Sequence, residues 1–182
     1  MAVVNNQLVL VGGEEVQIYS RTNKLGVWNE ELKSWTHPLP PMTTVCSLPS
    51  VATHNNRWLV VMGGYGGINH LSRVEILDTT ESRQWYHAAS LPQPLRDALP
   101  ATIGNMCYLL GGYTEGTTAS KKVFSVCLDD LISQAVSQQP ASASAPPTPS
   151  PWQSLPDTPL TNSTALAFNG ALLAVGGWGF PG

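Results

Sequence analysis

Leu59-Val60-Val61-Met62-Gly63-Gly64 is one of four short apolar runs in this chain that end in a glycine pair. The other three runs lead into Gly12-Gly13, Gly111-Gly112 and Gly176-Gly177. Counted from the second glycine of each pair, the spacings are 51, 48 and 65 positions. A period near 50 residues indicates that each unit is one supersecondary block packed against its neighbours. The repeat therefore determines the fold class.

A second apolar stretch precedes each run, and a tight polar turn separates the two. The turns are Asn5-Asn6, Asn55-Asn56, Gly104-Asn105 and Asn169-Gly170. Asn and Gly tolerate the positive φ that two-residue hairpins require. The sequence therefore predicts four β-hairpins, and their almost continuously apolar strands indicate burial on both faces.

Two more strands are predicted downstream of each glycine pair. The β-branched stretches 74–78 and 123–129 are typical of a third strand. Trp35, Trp85 and Trp152 then open a fourth strand, and a Leu-Pro step follows each of them. Four antiparallel strands in each repeat are the layout of a propeller blade.

On these glycine pairs, third-strand aspartates and fourth-strand tryptophans, the chain resembles the Kelch repeat. The resemblance implies an all-β, Kelch-type β-propeller built of four-stranded antiparallel blades. Blade 1 is assigned to residues 1–44, blade 2 to 45–94, blade 3 to 95–158, and the first hairpin of blade 4 to 159–182. This amounts to about 3.5 blades, an incomplete ring, since propellers close with roughly 4–8. We interpret the chain as a piece of a longer propeller; the alternative is that two copies complete one ring.

The motif residues are expected to be structural. No phosphate-loop spacing surrounds the glycine pairs. The glycines are expected to supply backbone conformations forbidden to other residues, and the tryptophans to pack between adjacent blades. This structural set comprises Gly12, Gly13, Gly63, Gly64, Gly111, Gly112, Gly176, Gly177, Trp35, Trp85 and Trp152.

One stretch departs from the repeat. Residues 133–150 form an uncharged insert rich in Ser, Pro and Ala. Such a composition buries too little apolar surface to offset its ordering entropy, so we expect disorder. The insert accounts for the long last spacing and falls between the third and fourth strands of blade 3.

Composition and charge narrow the function. The net charge is −3 and only 12% of residues are charged, with Lys and Arg scattered, which disfavours nucleic acid as a partner. We see neither a signal peptide nor a membrane-spanning run. Three unclustered cysteines favour a reducing compartment, so a cytoplasmic location is expected. Of these, Cys46, in a loop, is the candidate for an exposed redox-sensing thiol.

The four histidines are not spaced as a local metal site, and no catalytic motif is evident, so no cofactor and no enzymatic activity are expected. The loops that follow the glycine pairs instead carry residues favoured at interfaces. In Kelch proteins that this chain resembles, an aromatic after the glycine pair and an arginine entering the first strand line the partner pocket. The resulting candidates for partner binding are Tyr65, Asn69, His70, Arg96, Tyr113 and Trp178.

We therefore predict a module that binds a protein or peptide through the loops after the glycine pairs. The resemblance allows it to be part of a substrate adaptor of a cullin ubiquitin ligase or a cytoskeletal scaffold. The alternative is a propeller enzyme of the sugar isomerase or copper oxidase type. Self-association through the open propeller edge is a further expectation, because an unpaired sheet edge is exposed at the terminal hairpin.

Overall fold

A computed structural model describes residues 1–15, 20–80, 82–116, 118–138, 149–161, 164–175 and 178–179. Its described part contains three four-stranded antiparallel sheets and three two-stranded ones. In each sheet the four strands follow chain order from one edge to the other. This is the meander predicted for propeller blades.

Blade 1 contains β1 (Ala2–Val4), β2 (Gln7–Val11), β5 (Leu25–Asn29) and β6 (Ser34–Thr36). The loop between β2 and β5 carries a small ladder of β3 (Glu14–Glu15) and β4 (Ser20–Arg21). The turn into β2 has Asn5 and Asn6 at φ of 50° and 54°, the left-handed values that a two-residue hairpin requires.

Blades 2 and 3 repeat this arrangement. The strands of blade 2 are β7 (Ser50–His54), β8 (Trp58–Met62), β9 (Val74–Asp78) and β10 (Trp85–Ala88). Those of blade 3 are β11 (Leu99–Ile103), β12 (Met106–Leu110), β13 (Val123–Cys127) and β14 (Gln153–Leu155). The final hairpin pairs β16 (Thr164–Phe168) with β17 (Ala171–Val175), and β15 (Leu160–Thr161) pairs with β18 (Trp178–Gly179).

The apolar core lies between the blades. One cluster of buried side chains joins blades 1 and 2 and includes Val9, Val27 and Leu59. A second joins blades 2 and 3 and includes Ile76, Leu109 and Phe124. The first strands β1, β7, β11 and β16 neighbour one another in succession. Each blade therefore depends on its neighbours for burial, as repeat architectures require.

The three fourth-strand tryptophans do not share one environment. The Nε1–H groups of Trp85 and Trp152 donate to the carbonyls of Pro40 and Ala89 in the preceding blade, each over 3.0 Å. Trp35 is 40% exposed and packs edge-on against Trp28 of its own sheet. In the described part of the chain, the expectation that Trp35 packs between adjacent blades is therefore wrong, because its ring packs against Trp28 within blade 1.

The start of the insert also differs from expectation. The chain leaves β13 at Cys127 and forms helix α1 (Leu128–Ser137), so the strand predicted over 123–129 ends two residues early. The helix buries Leu128, Leu131, Ile132 and Ala135 in the core between blades 2 and 3. Residues 133–137 are therefore helical rather than disordered, because this apolar side is covered. Residues 139–148 lie outside the described part.

Asp78 fixes the turn from β9 to β10. Its buried carboxylate accepts hydrogen bonds from Arg57 Nε at 3.1 Å and Arg57 Nη2 at 2.6 Å, and further ones from Thr80 and Ser82. The Arg57 guanidinium is the main cause that holds the Asp78 pKa well below its usual range. This explains the aspartate predicted at the end of the third strand.

Candidate functional site

A repeated backbone bridge positions the residue after each glycine pair. Tyr65 N donates to Ser47 O over 2.8 Å, and Ser47 N donates to Tyr65 O over 3.0 Å. Tyr113 and Arg96 exchange the same two bonds over 2.9 and 3.1 Å. Each bridge ties the loop after one glycine pair to the segment that enters the first strand of the same blade. The side chains on these two segments are therefore held on one face of the molecule.

The glycine pairs make this approach possible. Gly63 and Gly64 have φ of +63° and +104°, and Gly64 N donates to Leu95 O over 2.8 Å. A β-carbon on Gly112 would lie 2.7 Å from Arg96 O, closer than any real side chain tolerates. The glycines thus bring the segment that carries Arg96 into contact with two neighbouring loops.

The other glycines of the predicted structural set that the structure describes also adopt positive φ. Gly12, Gly13 and Gly111 also have positive φ, and a β-carbon on Gly12 would lie 2.4 Å from Cys46 O. A β-carbon on Gly13 would meet nothing within 4 Å, so its requirement is conformational. Gly176 and Gly177 lie outside the described residues.

Arg96 lies between two tyrosines from different blades. Its Cζ is 5.6 Å from the ring centre of Tyr65 and 5.3 Å from that of Tyr113. A guanidinium over an aromatic ring is stabilised by about 0.5–1 kcal/mol at exposed sites and by about 2 kcal/mol when desolvated. These contacts hold the cation in place without neutralising its charge.

Tyr65 is the centre of this group. Its ring also packs edge-on against His70, with centroids 5.6 Å apart, and Cζ of Arg21 lies 4.5 Å from its centroid. We call Tyr65, His70, Arg96, Tyr113 and Arg21 the rim cluster. It joins the glycine-pair loops of blades 1, 2 and 3 on one face.

Three nitrogens of the rim cluster are buried and have no hydrogen-bond partner within the described residues. They are Nε of Arg21, Nε of Arg96 and Nδ1 of His70. Buried polar groups are normally paired, and an unpaired one is costly. Burial, and then the charge of Arg96, lower the pKa of His70, while Glu115 acts in the opposite direction.

A cavity of about 870 Å³ opens beside these nitrogens. Four of the predicted partner-binding residues line it: Tyr65, Asn69, His70 and Arg96. Tyr113 does not line the cavity, but its ring contacts Arg96, which does. The backbone of Trp178 pairs with Thr161, as Tyr113 pairs with Arg96, but its side chain lies outside the described part. Whether Trp178 shares the rim stays a prediction.

The sequence analysis missed Arg21, Ile68 and Glu115. Ile68 is 90% exposed, and both Ile68 and Glu115 line the cavity. A signal for Arg21 was present in the repeat, because Glu14 follows its glycine pair as Tyr65 follows Gly63-Gly64. Arg21 is the ladder partner of Glu14, just as His70 bridges to Tyr65.

Two of the three cysteines, Cys46 and Cys107, are buried. Cys46, Cys107 and Cys127 are all free thiols. Cys46 is buried, and burial followed by the charge of Glu75 raises its pKa to about 11. Burial raises the pKa of Cys107 to about 12. An exposed, low-pKa thiol is the mark of a redox sensor, and Cys46 has neither property.

Two features are absent from the described residues. They contain no group of three or more His, Cys, Asp or Glu side chains placed to hold a metal ion. They also include no helix long and apolar enough to cross a bilayer.

Residues 46–92, which contain all four strands of blade 2 together with Tyr65 and His70, match the family model of the Kelch motif. That segment carries a Kelch motif. The all-β fold of the chain is a partial Kelch β-propeller, as the resemblance implied. The matched segment ends before Arg96, which enters the first strand of the next blade.

One solved structure, titled "Structure of YjhT", is similar over 98% of this chain, with a TM-score of 0.73 and 16% sequence identity. The chain spans 58% of the length of that structure. At this identity the likeness concerns the fold alone. No curated protein matches the chain in sequence.

Proposed function

We propose that this chain is an interaction module whose rim cluster binds a protein or peptide partner. The observation that carries the proposal is the position of Arg96, held between Tyr65 and Tyr113 beside a cavity. Tyr and Arg are the residues most often found at the energetic centre of protein interfaces. The Kelch motif supports a binding role of this general kind.

The cavity has the composition of an interface centre. The exposed side chain of Ile68 offers an apolar contact at its edge. Asn69, His70 and Arg96 offer directional polar groups on the same walls. Apolar area joined to a few polar groups is what a specific binding pocket requires.

Within this role, we propose the two settings that the resemblance implied, a substrate adaptor of a cullin ubiquitin ligase or a cytoskeletal scaffold. We place the module in the cytoplasm, because its three cysteines are free thiols and such thiols persist in a reducing compartment.

We also propose that the chain associates with itself through apolar sheet faces. On blade 1, Val3, Leu10 and Trp35 are 60%, 38% and 40% exposed. On the last hairpin, Leu166 and Leu173 pair directly across the strands and are 44% and 40% exposed. Contiguous exposed apolar faces of this kind mark association surfaces.

The partner-binding proposal is tested by capture and affinity measurement. Arg96→Ala and Tyr113→Ala should each weaken binding of a captured partner by about 1–3 kcal/mol. Arg83→Ala is the matched control, because Arg83 lies in the turn between the third and fourth strands, which faces away from the rim. Thermal unfolding should change little in all three. A partner that binds both rim variants as tightly as the wild type would refute the proposal.

A further inference from the structure

We infer that Ser150 is a phosphorylation site for a proline-directed protein kinase, and that its phosphate loosens helix α1. The site lies at the end of the insert, just before β14, and it shares no residue with the rim cluster. It therefore goes beyond the proposed partner binding, and its tests are independent of Arg96 and Tyr113.

Ser150 differs in accessibility from another hydroxyl residue that precedes a proline. Proline follows a serine or threonine at three places in this chain, after Thr148, Ser150 and Thr158. Thr148 lies outside the described residues. Ser150 is exposed, and residues 149–152 belong to no helix or strand. Thr158 is only 7% exposed, and its backbone N–H donates to Lys121 O over 2.8 Å. The fold therefore presents the Ser150 hydroxyl to an enzyme and keeps that of Thr158 out of reach.

The two prolines that flank Ser150 favour the backbone shape that a kinase binds. Pro149 and Pro151 have a fixed φ and no N–H to pair, and a residue before proline avoids the helical region. Ser150 is therefore biased towards an extended conformation, which is the one in which protein kinases bind their substrate segment. Pro151 directly follows the acceptor hydroxyl, as a proline-directed kinase requires. Trp152, which is buried, anchors the segment to the core.

The reaction balances with ATP as the phosphoryl donor. The Oγ atom of Ser150 forms a bond to the γ-phosphorus, the bond from that phosphorus to the bridging oxygen breaks, and ADP leaves. The hydroxyl proton passes to the catalytic aspartate of the kinase. Ser150 thereby gains a charge of about −1.5 to −2 and three strong acceptor oxygens.

The phosphate faces a cavity wall that carries negative charge. Ser150 lines a cavity of about 350 Å³ together with Asp130 and Gln134 of α1. Among the described residues of this wall, Asp130 is the only charged one. The positive end of the helix dipole already meets Asp129 and Asp130 in the first turn. A phosphate beside them is repelled, and like-charge repulsion of this kind disrupts a packed contact.

Helix α1 covers an edge of blade 2, so its loosening changes what the propeller exposes. The strand β10 lies at the edge of that sheet, and α1 packs against it. The helix buries Leu131 and Ile132 in the core that Tyr86 and Ala88 of β10 border. An uncovered edge strand is open to pairing with another chain. Phosphate on Ser150 thus controls how far this edge is accessible.

The first test asks whether the folded chain is phosphorylated at Ser150. The Thr148→Ala form of the whole chain is treated with ATP and a mitogen-activated protein kinase, and mass spectrometry locates the phosphate. One phosphate is expected, on Ser150, and Thr158 should stay unmodified. Pro151→Ala should slow the reaction about tenfold or more, because the kinase recognises that proline in an apolar pocket.

The control for this test is Ser150→Ala, which should accept no phosphate and should unfold at the same denaturant concentration as the wild type, because the side chain is exposed. An unmodified Ser150 in the folded chain overturns the site, even if a peptide of residues 146–154 accepts phosphate. Equal labelling of buried Thr158 overturns it as well, since the fold then does not select the acceptor.

The second test measures the effect on α1 by hydrogen exchange. Backbone amides of residues 131–137 should exchange several-fold faster in the phosphorylated chain than in the unmodified one, because the helix opens more often. Amides of β8, an inner strand of blade 2, are the internal control and should not change. In Asp130→Asn, which removes the facing charge, phosphorylation should cause much less acceleration. Unchanged or slower exchange after phosphorylation, or the same acceleration in Asp130→Asn, overturns the loosening of α1 by repulsion.

Discussion

Gly63 connects the repeat signature to the binding face at the scale of single residues. It ends the apolar run of β8 with φ at +63°. A β-carbon here would lie 2.3 Å from Leu95 O and 3.2 Å from Leu71 O. The backbone next to Arg96 thus occupies the space that any other residue would fill. The glycine is required both for its conformation and for the close approach of the next blade.

Replacement of Gly63 by alanine should therefore destabilise the protein far more than the conformational cost alone. Gly104 is the matched control, because its φ is +56° and a β-carbon there meets nothing within 4 Å. Gly104→Ala should cost about 1 kcal/mol, and Gly63→Ala about 3 kcal/mol or more, since backbone must move. Urea unfolding measures both. Equal losses would show that Gly63 serves only as a flexible turn.

The sequence predicted part of the candidate site and missed the rest for a physical reason. Tyr65 and Tyr113 were found because they follow glycine pairs, and Arg96 because the resemblance places an arginine at the entry to a first strand. Arg21 was missed because blade 1 carries Glu14 where the other units carry an aromatic. Its contact with Tyr65 crosses from one blade to the next, and a pairing between repeats leaves no periodic mark in a single sequence.

At the scale of elements, the packing of neighbouring blades determines how exposed each fourth-strand tryptophan is. Trp152 is only 8% exposed and donates its indole N–H to the preceding blade. Trp35 holds the same position in its own blade but is 40% exposed. The motif therefore identifies a position in the sheet, and the neighbouring blade decides whether the side chain there is buried.

Truncation of these two tryptophans should consequently have different costs. Trp152→Ala should destabilise by about 3–5 kcal/mol, because it opens a cavity in the core between blades 2 and 3. Trp35→Ala should cost about 1 kcal/mol, since water already reaches the ring. Guanidinium unfolding followed by circular dichroism provides the comparison. A similar loss in both variants would contradict the burial difference.

Helix α1 shows where composition misled the sequence analysis. Residues 133–150 were predicted to be disordered from their uncharged, Ser-, Pro- and Ala-rich composition. Leu128, Leu131, Ile132 and Ala135 nevertheless recur at helical spacing across that boundary, and all four are buried. Asp129 and Asp130 lie in the first turn, where their negative charges interact favourably with the positive end of the helix dipole. The periodic signal was present, but it began inside a predicted strand and was therefore overlooked.

At the scale of the whole molecule, the repeat predicted the four-stranded meander of each blade. It did not predict that one sheet face of blade 1 and one of the last hairpin would be exposed. The apolar hairpin strands predicted burial on both faces, and this holds for β8, in which all residues from Leu59 to Met62 are buried. It does not hold for β17, which is mostly exposed. An apolar strand sequence shows that a sheet face is suited to burial. The face is buried only where a neighbouring blade packs against it.

These two faces lead to a prediction about self-association of the 182-residue chain. Light scattering during size-exclusion chromatography should show a mass that rises with concentration, because exposed sheet faces on blade 1 and the last hairpin exclude water when they meet. Phe168→Asp should lower the mass towards that of the monomer, since Phe168 is 58% exposed on the hairpin. Ile68→Asp is the control, because Ile68 is 90% exposed on the rim face. The prediction is contradicted if the wild type stays monomeric at about 100 μM, where contacts of micromolar affinity saturate. It is also contradicted if Ile68→Asp dissociates the assembly as well as Phe168→Asp does, because association then does not depend on the sheet faces.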